Sequence, residues 1–157
     1  MGDFEVVRSR TIAAPRDRVH ALIDDFHAWR QWSPWEDVDP ELQRDYSGAD
    51  SGVGAKYAWE GNRKAGKGNM EIVSSTPELV EVRLTFEKPW NSTNHVAFEL
   101  TPSGDAATDV TWRMTGRTTG FASLFSKVVS MDRLVGKDFE KGLDRLDTAA
   151  TTAAATH

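Results

Sequence analysis

Val80-Glu81-Val82-Arg83-Leu84-Thr85-Phe86-Glu87 alternates apolar and polar residues without a break. Side chains on a strand point to opposite faces with a period of two, so this octet predicts a strand that buries Val80, Val82, Leu84 and Phe86 and solvates the others. The same alternation returns downstream in Val96, Phe98 and Leu100, then in Val110, Trp112 and Met114. Upstream, Ala55, Tyr57 and Trp59 share one face against Lys56, Ala58 and Glu60, and Met70 and Ile72 continue the apolar set beyond the loop 61–68. A further strand is expected over residues 42–46, with Gly48, Gly52 and Gly54 marking the turn after it. Alternation this regular implies an antiparallel sheet with one solvated face.

On either side of this region the period changes. Residues 4–13 are rich in β-branched types and read as a first or edge strand. Pro15 suits the first turn of a helix, where its missing N–H costs nothing. Val19, Leu22, Ile23 and Phe26 then recur at helical spacing. That helix is expected to break near Asp24-Asp25, and a second short one to run from 27 to 32 until Pro34 ends it. Toward the C-terminus, Phe121, Leu124, Phe125, Val128, Val135, Phe139, Leu143 and Leu146 lie three and four apart. They predict an amphipathic helix over about 121–146, roughly 40 Å long at 1.5 Å per residue and able to cross the sheet. Residues 148–156 are Thr and Ala without a visible core face, and a loosely held tail is expected there. The expected organisation is one α+β domain over 1–147, a curved antiparallel sheet wrapped round a long helix, followed by a tail over 148–157.

Composition bounds the function. The chain has 157 residues, a net charge of -5 and basic residues spread along its length, which argues against nucleic acid, whose partners cluster their cations. Cysteine is absent, so neither a disulfide framework nor thiolate chemistry is available. No apolar run approaches the ~20 residues of a membrane span, and no charged-then-apolar leader opens the chain. A cytoplasmic home is expected, with the Asn91-Ser92-Thr93 sequon unused.

Motifs for catalysis or metals fall away one by one. Residues 61–68 nearly spell a phosphate-binding loop, but Gly68 stands where a Ser or Thr would hold Mg²⁺, and the segment joins two strands instead of a strand and a helix. A basic hairpin loop is the better reading. His20 and His27, seven residues apart, would stand about 10 Å apart on one helix, too far to share a metal. The acidic run Glu36, Asp37, Asp39, Glu41 lacks the glycine and terminal glutamate of a calcium loop. No Gly-x-Ser-x-Gly elbow is present. No metal and no cofactor is therefore expected.

Aromatics remain. Six Trp is a high count for this length. Trp29, Trp32 and Trp35 are expected to plug one end of the sheet beneath the helix pair. Tyr57, Trp59 and Trp112 fall on the inner face, where each brings a polar tip to an apolar wall, the usual make-up of a small-molecule pocket.

Trp29-Arg30-Gln31-Trp32-Ser33-Pro34-Trp35, Gly52-Val53-Gly54-Ala55-Lys56-Tyr57-Ala58-Trp59-Glu60-Gly61-Asn62, Thr108-Asp109-Val110-Thr111-Trp112 and Gly136-Lys137-Asp138-Phe139-Glu140-Lys141-Gly142-Leu143 together resemble the polyketide cyclase/dehydrase branch of the START and Bet v 1-like (SRPBCC) superfamily. The resemblance spans nearly the whole chain. It implies a helix-grip fold with an internal cavity between sheet and long helix, in a superfamily of lipid and sterol carriers, hormone binders, polyketide cyclases and chaperone activators. It transfers no catalytic set residue by residue. The expected function is binding or transport of a hydrophobic small molecule, a lipid, isoprenoid or polyketide-like compound. The expected lining is Ala55, Tyr57, Trp59, Met70, Ile72, Leu84, Phe86, Phe98, Trp112 and Met114 from the sheet, with Phe125 and Val128 from the helix. The alternatives are an aromatic polyketide cyclase or dehydratase, using Tyr57 or an inward-turned Arg8 or Arg10, and a protein-interaction or chaperone-activator role on the outer face. The outer face is charged and mixed, which disfavours the last. A monomer or weak homodimer is expected.

Overall fold

The computed structural model describes residues 2–34, 41–62, 66–88, 92–118 and 131–155. Strand β1 (Gly2–Ile12) leads into helix α1 (Arg16–Ile23) and a 3-10 turn (Ala28–Gln31). Six strands follow: β2 (Gln43–Gly48), β3 (Ala55–Glu60), β4 (Lys67–Thr76), β5 (Leu79–Lys88), β6 (Ser92–Pro102) and β7 (Thr108–Thr118). Helix α2 (Met131–Ala155) closes the chain. All seven strands form one antiparallel sheet in the order β1-β7-β6-β5-β4-β3-β2. The residues between β1 and β2 therefore carry the chain from one edge of the sheet to the other, with α1 and the 3-10 turn in that connection.

The period-two strands, the helix over Val19, Leu22 and Ile23, and its break at Asp24 all agree with the sequence; the first of the later strands runs two residues further than expected. The arginines of β1 share a face with Val6 and Ile12, which are fully buried. Helix α2 differs from expectation at its end. It continues through the Thr/Ala stretch to Ala155, and Ala150 is fully buried. Alanine is the best helix former and needs little room, so an apolar face of small residues packs closely where composition suggested no core face. Residues 121–130 of the expected helix, including Phe121, Leu124, Phe125 and Val128, lie outside the described residues.

Candidate functional site

Cross-strand partners share a face, so the ladder registers sort the concave side into rows. One row runs Arg8–Trp112–Phe98–Val80, the next Val6–Met114–Val96–Val82–Ile72. Beyond it lies Asn94–Leu84–Met70–Tyr57–Tyr46, then Ser92–Phe86–Gly68–Trp59–Arg44. The face thus has two ends.

The Trp112 end is closed. Trp29 and Trp32 project from the 3-10 turn, and their indole N–H groups donate to the Ile23 and Leu22 carbonyls at 2.7 and 2.8 Å. These carbonyls sit at the end of α1, where the helix has no partners of its own to offer. The rings then meet Phe98 edge-on at 5.6 and 5.8 Å, Trp32 meets Trp112 at 5.5 Å, and Trp112 stacks flat on Phe139 of α2 at 4.0 Å. Gly142 brings the helix this close: a Cβ there would stand 2.7 Å from the Trp112 ring and 3.0 Å from Pro34. One turn and a half earlier, the Arg8 guanidinium occupies the space a Gly136 side chain would need. Arg8 Nε donates to Glu140 at 2.8 Å, and Arg10 donates to Asp147 at 2.9 Å and lies 3.4 Å from Asp144. Both arginines thus turn to the concave side, where they clasp α2.

The Trp59 end is different. Trp59, Met70 and Phe86 are only partly covered although they pack on the core. Gly68 allows Trp59 to lie across β4, since a Cβ would meet the indole at 2.6 Å. Trp59 meets Phe86 edge-on at 5.8 Å and is near-parallel to Tyr57 at 6.1 Å. Of the residues expected to line a site, Ala55, Ile72, Phe98 and Trp112 are sealed in the core, and Tyr57, Leu84 and Met114 are buried between the two ends. Trp59, Met70 and Phe86 reach solvent, while Phe125 and Val128 lie outside the described residues. Sequence reasoning passed over Asn94, 4 % exposed on the same face. The signal was present: Asn94 continues the parity of Val96, Phe98 and Leu100 by one step.

Other polar groups gather at the margins of this face and on the outer one. Ser75 Oγ donates to Asp24 at 2.5 Å and lies 3.2 Å from His20 Nε2. The hydroxyl stands between acid and imidazole, so the acid does not orient the imidazole and the order of a nucleophilic triad is not met. Ser75 and His20 also border a groove of about 530 Å³ between α1 and the β4–β5 and β6–β7 turns, lined further by Arg16, Pro77 and Pro102. His27 pairs with Asp25 at 2.9 Å and stacks on Tyr46 at 4.1 Å. On the outer face His95 pairs across strands with Glu81 at 2.6 Å, and Arg83 with Glu71 at 2.5 Å. Arg113 bonds Glu5 and Glu99, hydrogen bonds that raise its pKa further. Among the described residues, Val53 and Val73 are the exposed large hydrophobics, and no helix is long and apolar enough to cross a membrane.

Solved structures share this architecture. A START superfamily protein from Mycobacterium smegmatis aligns with a TM-score of 0.64 at 14% identity, covering 97% of this chain and 99% of that one. A protein from Thermus thermophilus gives 0.64 at 21% identity, covering 96% and 99%. Norcoclaurine synthase from Thalictrum flavum, in complex with dopamine and hydroxybenzaldehyde, gives 0.69 at 11% identity, covering 96% and 88%. At such identities the likeness is one of fold, the helix-grip fold of START and Bet v 1-like proteins. No curated protein matches the chain in sequence. The profile of one family, described as polyketide cyclase/dehydrase and lipid transport, matches residues 3–151, and the chain belongs to that family.

Proposed function

We propose that this protein binds a hydrophobic small molecule at the Trp59 end of its concave face. One observation carries the proposal: Trp59, Met70 and Phe86 remain partly uncovered on a face whose hydrophobic residues at the Trp112 end are fully packed. Leaving large apolar side chains open to water forgoes about 25 cal/mol per Å² of burial, and a bound apolar molecule recovers it. Carriage is favoured over cyclase chemistry because Arg8 and Arg10, the basic groups considered for catalysis, are held by carboxylates of α2. An interaction role is disfavoured by the paired charges of the outer face. Native mass spectrometry of the purified protein should reveal a co-purified apolar molecule of a few hundred daltons. A protein that arrives empty and leaves its tryptophan emission unchanged across fatty acids, isoprenoids and polycyclic aromatics would overturn the proposal.

A further inference from the structure

We infer that Asn94 is the polar anchor of this site, and that the ligand is an aromatic or polycyclic molecule carrying a neutral carbonyl or hydroxyl group. The inference rests on the Trp59 end being a ligand site. Asn94 is 4 % exposed, yet among the described residues its side chain makes one bond, from Nδ2 to Ser92 Oγ at 3.3 Å, at the long limit for such a contact. An amide can make four. Thr108, equally enclosed, shows the usual arrangement: its hydroxyl donates to the Ala14 carbonyl at 2.8 Å. Buried polar groups are normally satisfied, so an amide with spare capacity on an apolar face points to a partner from outside the chain.

The surroundings define that partner. Leu84 stands beside Asn94 across one ladder, and one step beyond the His95–Thr115 pair Gly116 stands beside it across the other. Gly116 brings no side chain of its own to the amide. Along the row lie Met70 and Tyr57, and the next row carries Phe86 and Trp59, whose rings meet edge to face. Flat apolar walls of this kind accept aromatic rings at their edges and faces. The described cations of this face stand apart from the amide: Arg8 and Arg10 are clasped to α2, and Arg44, the cross-strand partner of Trp59, lies four strands away from Asn94. A neutral amide without a neighbouring cation suits a carbonyl or hydroxyl oxygen better than a carboxylate or phosphate.

The test compares 2-naphthol with 2-methylnaphthalene, which share a shape and differ by a hydroxyl against a methyl group. Quenching of tryptophan emission reports binding of each. Transfer from water alone favours the methyl compound. The wild-type protein should nevertheless bind 2-naphthol about five- to tenfold more tightly, the equivalent of one good hydrogen bond. Asn94→Leu should bring the ratio to one or below, while 2-methylnaphthalene binds at least as well as before. Asn94→Ala serves if the leucine variant does not fold. A wild-type ratio of one, or a preference that survives the substitution, would overturn the anchor and leave the apolar site standing. Binding of neither probe would remove the site and the anchor together.

Discussion

At the Trp112 end of the concave face, rings from the 3-10 turn, the sheet and α2 meet on all sides, and an indole stacks on Phe139 at 4.0 Å. At the Trp59 end, the same sheet carries residues of the same classes, yet Trp59, Met70 and Phe86 stay partly open. The difference does not come from hydrophobicity. It comes from what the neighbouring elements present: glycines at 136 and 142 let α2 descend on one end, and indole-to-carbonyl bonds fix α1 against it. Closure is thus a property of the covering elements, and an alternating strand carries no mark of where along its length it is covered.

Substitutions can break that contrast. The largest effect is expected from Trp32→Ala or Phe98→Ala, each costing about 3–5 kcal/mol because the closed end cannot collapse into the space. For a chain of this size that lowers the melting temperature by roughly 10 °C, and ligand preference should be unchanged. Gly142→Leu comes next. It improves helix propensity but drives a side chain into Trp112 and Pro34, so a net loss of about 1–3 kcal/mol is expected in chemical denaturation. A neutral result would reveal spare room where the structure has none. Phe86→Ala should cost about half as much as Phe98→Ala, since a partly covered ring loses less contact; equal costs would erase the distinction between the ends. The smallest change in stability, under about 1.5 kcal/mol, is expected for Trp59→Phe. That variant should nonetheless lose most of the ligand-dependent change in emission, whereas Trp112→Phe should keep it.

Much of this was legible in the sequence. The alternation in Val80–Glu87 marked the inward face because strand geometry has a period of two, and the inward set expected from Ala55 to Met114 keeps that facing, while the reversal that turns Ser75 inward left no mark. Pro15, the Asp24 break and the aromatic run 29–32 marked the helical connection. Depth was not legible: Phe98 and Phe86 look alike in the alternation, and only the tertiary position of Trp29, Trp32 and Phe139 separates them. The partners of Arg8 and Arg10 were hidden for the same reason, being 132 and 137 residues away in the chain. Asn94 was missed because a polar residue on an apolar face reads as the end of the pattern instead of as part of the wall. The Thr/Ala stretch misled because small residues leave no periodic hydrophobic signal even when a helix buries them.

The ladder between β4 and β5 slips by one residue between Ile72 and Ser74, leaving Val73 as an extra, 39 % exposed. Upstream, even-numbered residues of β4 face inward; downstream it is Ser75, opposite Val80, that does so and reaches His20 and Asp24. Shortening the chain has an unequal effect as a result. Removing Val73 leaves every other pairing and every facing intact, so the deletion should fold and melt within a few degrees of the parent. Removing one residue from the regular stretch 69–71 instead must turn part of the strand inside out or shift the irregularity elsewhere, and collapse of the cooperative melt is expected. A strand that absorbs the loss of a residue at its bulge, and not in its regular stretch, steers the shortening of its descendants to that bulge.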